Sequence, residues 1–151
     1  MGRAKTWIEP HPSGIYVKPA DLWIDPSRPV ERAVVTHGHA DHARSGHGAV
    51  FATPETLAIM ALRYGVDAEA SHNQAYDYGD GFERGGVCFS FHPAGHVLGS
   101  AQILMEYQGE RIVVTGDYKR RPDPTCKPFE VVPCDIFVTE ATFGLPVFRH
   151  P

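Results

Sequence analysis

Apolar residues fall into short runs separated by glycine- and proline-rich turns, and one stretch alone carries helical spacing. In GIYVKPADLWID, residues 14–25, the pattern predicts two short strands interrupted at Lys18-Pro19-Ala20. Arg32-Ala33-Val34-Val35-Thr36 predicts another, stopping at His37. TPETLAIMALRYG predicts a helix. Thr53 is the N-cap whose side chain accepts a backbone N–H, Pro54 sits in the first turn, where its missing N–H costs nothing, and Gly65 is the terminator. Leu57, Met60, Ala61 and Tyr64 recur at helical spacing, so that face is directed to the core. From Ala75 onward the pattern turns to period two and short apolar runs, with strands expected over Gly86 to Phe91, Ala101 to Tyr107, Arg111 to Thr115 and Asp135 to Thr139. Gln108-Gly109 suits a hairpin turn that needs positive φ. The result is a sheet-rich α/β chain with one helix.

Three of these strands end at a metal-competent or acidic group: AVVT at His37, IVVTG at Asp117 and IFVT at Glu140. Loops at strand ends are where sheet proteins place chemistry, so the three are candidates for one shared site.

Composition narrows the function classes. A chain of 151 residues is one domain or a piece of one. Its net charge of −4 argues against nucleic-acid binding by broad basic attraction alone. Lys119-Arg120-Arg121 is the one local basic cluster, open to reading as a solvated loop or as a phosphate contact. No apolar run is long enough for a membrane helix and the N-terminus lacks a signal-peptide core, so a cytoplasmic location is expected. Cys88, Cys126 and Cys134 form no paired motif and are read as reduced, with Cys88 expected in the core and the other two unassigned.

The candidate chemistry is concentrated in THGHADHARSGH, residues 36–47. In extended chain, alternate residues point the same way, so His37 and His39 can face one ion, and a turn just after can swing Asp41 and His42 toward a second. Imidazole with carboxylate suits zinc, with manganese or iron also possible. His47, alone between two glycines, is read as a loop residue. In HPAGHVLGS, residues 92–100, either His92 or His96 could be a ligand on spacing. Asp117 could bridge two cations, and Asp25 before Pro26 reads equally as a turn residue or as part of the site.

The motifs HGHADH, AGHVLGSA, TGDY and TEATFG, in that order, resemble the metallo-β-lactamase superfamily, and within it the β-CASP-type nuclease branch. ATPETLAIMALRYG, GDYKRRPDPTCKPFE and TEATFGLPVF resemble bacterial DNA ligase-associated exonucleases, relatives of mRNA 3′-end processing factors. The resemblance covers residues 12–150. It implies an αβ/βα sandwich holding two divalent metal ions, zinc or manganese. His37, His39 and His96 would bind one metal, Asp41 and His42 the other, and Asp117 would bridge them. Asp25 would support the ligand loop without binding metal, Glu140 would orient the leaving-group machinery, and His92 matches no family ligand. The implied chemistry is two-metal phosphodiester hydrolysis, in which cations about 3.5–4 Å apart activate a water and Asp41 accepts a hydrogen bond from it.

The chain departs from the family pattern at its end. The last ligand histidine would lie beyond Pro151, past the inserted β-CASP domain, and the general-acid histidine within that domain; the alternative is that His150 or His47 substitutes, although neither sits in a matching motif. Residues 1–151 are therefore expected to form the N-terminal half of the sandwich. An exposed sheet surface would be left for the rest of the fold or a second copy to cover. The leading expectation is a metal-dependent DNA exonuclease acting in DNA repair, with DNA as partner and a DNA ligase as associate. The alternatives are an RNA-processing nuclease of the same branch and a metal-binding fragment without turnover.

Overall fold

The computed structural model describes residues 7–39, 42–64, 72–95, 98–115, 130–138 and 148–149. Twelve strands and one helix form along these segments: β1 (Ile8–His11), β2 (Gly14–Val17), β3 (Leu22–Ile24), β4 (Arg32–Val34), β5 (Ala49–Ala52), α1 (Pro54–Tyr64), β6 (His72–Ala75), β7 (Gly81–Arg84), β8 (Val87–Pro93), β9 (Ala101–Tyr107), β10 (Glu110–Val114), β11 (Ile136–Val138) and β12 (Phe148–Arg149). They make two six-stranded sheets. The first runs β1-β2-β3-β4-β5-β6 and the second β12-β11-β10-β9-β8-β7.

The sheets face each other across the main core. Val17, Leu22, Ile24, Val34 and Phe51 come from the first sheet, and Val87, Phe89, Phe91, Ile103, Met105, Ile112 and Val114 from the second. Truncating the fully buried Phe91 to alanine would cost about 3–5 kcal/mol. Because strand side chains alternate, Val50 and Ala52 point away from this core, and α1 covers them with Met60, Leu57 and Tyr64. The layers are therefore helix, sheet, sheet.

The period-two reading located several elements well. The break at Lys18-Pro19-Ala20 falls between β2 and β3, which pair antiparallel. Gln108 (φ 49°) and Gly109 (φ 83°) both lie in the left-handed region, which turns β9 back onto β10 with Tyr107 opposite Glu110. Thr56 N donates to Thr53 Oγ1 at 3.3 Å, the N-cap bond, whereas Gly65 lies outside the described residues.

One expectation is corrected. Cys88 is exposed, not in the core: Val87, Phe89 and Phe91 take the inward positions of β8 and leave Cys88 on the outer face. Cys134 is partly buried, and burial together with Asp135 pushes its thiol pKa up, which favours the protonated thiol. Cys126 and the Lys119-Arg120-Arg121 cluster lie outside the described residues. No helix among the described residues is long and apolar enough to cross a membrane.

The topology gathers several strand ends. β10 and β11 run parallel, with Val114 beside Val138, and Thr115 N donates to Val138 O at 3.0 Å. β9 is antiparallel to β10, so its start lies at that same end. Ala101 N, at the start of β9, donates across to Thr36 O at 2.7 Å, joining the second sheet to the segment that follows β4.

Candidate metal centre

The site is built from the end of β3 and the segment after β4. These strands pair parallel, Ile24 beside Val34, so Asp25 and Thr36 leave the sheet together. Asp25 has φ 50°, a conformation that short polar side chains tolerate better than most. Its Oδ1 accepts from Thr36 N at 2.8 Å and its Oδ2 from Thr36 Oγ1 at 2.6 Å. His42 Nδ1 lies 2.8 Å from the same Oδ2.

These contacts set the tautomers. A carboxylate only accepts, so the Thr36 hydroxyl donates to Asp25 and is left to accept from His37 Nδ1–H at 3.0 Å. His42 likewise donates from Nδ1. Both rings thereby place the lone pair on Nε2, the form in which neutral imidazole binds a metal.

The three histidines of the loop converge. The His37 and His42 ring centroids are 4.2 Å apart, and His39 stands edge-on to His37 at 4.9 Å. His42 N and Ala43 N both donate to His39 O, at 2.9 and 2.8 Å, closing the turn that brings His42 back against His37. His37 is fully buried, His42 half-buried and His39 exposed, so the cluster opens to solvent on the His39 side.

Among the described residues, ligand-capable atoms of Asp25, His37 and His42 lie within 4.8 Å of one another. Imidazole nitrogens held in the ligand tautomer fit a borderline-soft divalent cation such as zinc. The Asp25 oxygens already accept three hydrogen bonds, so this carboxylate is suited to orienting the ligands more than to joining them.

Gly99, near the end of the AGHVLGSA motif, docks against α1. Gly99 O accepts from Thr53 Oγ1 at 2.7 Å and from Thr56 Oγ1 at 3.2 Å. Gly99 has φ 80°, and a Cβ there would come within 2.7 Å of Glu55 Cβ, so only glycine fits without strain.

Of the residues singled out in the sequence, Asp25, His37, His39 and His42 come together here. Asp41, His96, Asp117, Glu140 and His150 lie outside the described residues, although the strands preceding Asp117 and Glu140 end side by side at the shared end. His92 makes a separate cluster, with Nε2 2.9 Å from Ser90 Oγ and Nδ1 3.3 Å from Glu130 Oε1. His47 is more than a loop residue: it is buried, its Nδ1 accepts from Val30 N at 3.2 Å, and burial pushes its pKa down. Thr36 was not singled out in the sequence; its sole signal was its place between a strand and the first histidine.

Comparison with known proteins gives the same answer from another direction. The profile of the metallo-beta-lactamase superfamily matches residues 14–144. The chain is 31% identical over 148 residues to a probable DNA ligase of Opitutus terrae, covering 96% of this chain and 14% of that protein. It is 29% identical over 173 residues to an endoribonuclease of Mycosarcoma maydis, covering 92% and 20% respectively. The chain thus spans a fifth or less of these relatives. Its fold matches a solved B3 metallo-beta-lactamase with an active-site glutamic acid at TM-score 0.64 and 14% identity, over 98% of this chain and 86% of that one. With two facing sheets, a histidine loop at their common end and a profile match along most of its length, the chain belongs to the metallo-beta-lactamase superfamily.

Proposed function

We propose that residues 1–151 form the N-terminal part of a metal-dependent nuclease of the β-CASP branch, which hydrolyses phosphodiester bonds in the cytoplasm. The observation that carries this is the Asp25–Thr36–His37 and Asp25–His42 hydrogen-bond network, which fixes the ligand tautomer of two histidines at once. In this reading His37, His39 and His96 would hold one cation, Asp41 and His42 would hold a second, and Asp117 would serve both. Two such cations, zinc or manganese, would supply Lewis acidity and lower the pKa of a water between them. Asp25 and Thr36 orient the imidazoles, Asp41 would accept a hydrogen bond from a water at the site, and Glu140 would orient the leaving-group side.

Two substrate readings have support. Likeness to a probable DNA ligase favours a DNA exonuclease that works beside a ligase in repair, and likeness to an endoribonuclease favours RNA. Metal coordination by itself does not distinguish the two sugars, so matched DNA and RNA oligonucleotides, each incubated with the chain and with the longer protein containing it, separate the two. His39→Ala is expected to abolish cleavage by the longer protein and to weaken zinc binding by the chain; undiminished activity in this variant refutes the metal-centre reading. Turnover confined to the longer protein would identify residues 1–151 as a metal-binding part that acts only with the remainder.

A further inference from the structure

The last turns of α1 touch the histidine loop at three points. A Cβ on residue 38 would come within 2.8 Å of Ile59 Cγ2, so the loop can lie this close to the helix only with glycine between His37 and His39. Arg63 Nη1 donates to Gly38 O at 2.6 Å. Tyr64 Oη donates to Ala43 O at 2.6 Å. The two carbonyls flank His39 and His42: one lies between His37 and His39, the other directly after His42. The Arg63 guanidinium also lies 5.7 Å from the centre of the Tyr64 ring, so each side chain braces the other.

We infer that Arg63 and Tyr64 are positioning residues of the metal centre, a clasp that holds the loop in its converged shape before a cation arrives. The inference rests on the metal-centre reading given above. Preorganisation strengthens binding because less of the loop must be ordered when the ligand arrives. The clasp reaches main-chain carbonyls, so it acts on the course of the loop and through it on all three rings. Charge works in the opposite direction. A guanidinium beside a dication site disfavours cation binding, so removing Arg63 for charge reasons alone would tighten it. The sign of the change therefore separates positioning from electrostatics.

The test is titration of the 151-residue chain with zinc against a chromophoric chelator, with the melting temperature of the metal-free protein followed in parallel. Arg63→Met and Tyr64→Phe are each expected to weaken zinc binding about tenfold, the lower end of what loss of an outer hydrogen-bond partner produces at metal sites. Arg63→Lys should recover part of the loss. Tyr64→Phe removes one hydroxyl and keeps the ring that packs in the core, so it reports even if Arg63→Met fails to fold. Variants that melt lower yet bind zinc as tightly as wild type, or tighter, overturn the inference and leave the metal centre standing. A wild-type chain that binds no zinc overturns the metal-centre reading and the clasp with it.

Discussion

Replacing Thr36 by valine keeps the shape of the side chain and removes the hydroxyl oxygen through which Thr36 contacts both Asp25 and His37. Thr36 and His37 are 1% and 0% exposed, so water cannot stand in for the lost hydroxyl. The bond from Thr36 Oγ1 to the Asp25 carboxylate is of the charge-assisted kind, worth about 1.5–3 kcal/mol. His37 Nδ1–H would face a methyl group, at about 1–3 kcal/mol. The retained bond from Thr36 N to Asp25 Oδ1 keeps the backbone in place, and the two losses overlap at one oxygen, so the net destabilisation is about 2–4 kcal/mol. In a domain of this size each kcal/mol moves the melting temperature by about 2–4 °C, which puts the expected fall between about 4 and 16 °C. Zinc affinity should drop about 10- to 100-fold, because the hydroxyl oxygen that accepts from His37 Nδ1–H is removed. Thermal melting of the metal-free chain and a chelator-competition titration measure the two effects, and Thr36→Ser should restore both. A valine variant that melts within about 1 °C of wild type and binds zinc unchanged would refute the tautomer argument.

Two further outcomes follow from His47 and Gly99. Burial lowers the His47 pKa, so the folded protein holds this ring neutral while the unfolded chain takes up a proton near the ordinary value of about 6.5. Its contribution is complete above that value and is lost as the pH falls through the interval below it. His47→Gln should flatten the acid side of the stability profile in urea unfolding between about pH 7.5 and 5.5, and an identical slope in both proteins would exclude His47 as the source. Gly99→Ala places a methyl against Glu55 Cβ and Thr53 Oγ1, at 2.7 and 2.8 Å, with φ at 80°. It should cost about 1–3 kcal/mol, seen as a lower melting temperature, and wild-type stability would show that the segment around Gly99 can move away from α1.

The strands legible in the sequence are those that contribute to the core, and the overlooked ones lie chiefly at the borders. β1 and β6 border the first sheet and β12 and β7 the second, and none of the four was read from the chain. An edge strand buries little and is held by backbone hydrogen bonds on one side, so its side chains need not alternate. IEPH carries a proline, HNQA is polar, and GFER is exposed or half-buried throughout. β5 was missed for another reason. Its AVFA is a short apolar run, and such runs do not distinguish strand from helix. The histidine loop was legible because its spacing is chemical, whereas Thr36, Arg63 and Tyr64 act on it from positions that look like ordinary strand-end and helix residues.

Thr36 spends every polar group it owns on this corner of the molecule. Its N–H and hydroxyl go to Asp25, its hydroxyl oxygen receives His37, and its carbonyl receives Ala101 from the opposite sheet. The six residues from His37 to His42 are therefore not a portable cassette. Grafted onto another scaffold they would carry the ligands but not the proton placement, which belongs to a carboxylate just past the end of a neighbouring strand and to a threonine wired into both sheets. A designer wishing to move this centre would have to move the junction of the two sheets with it.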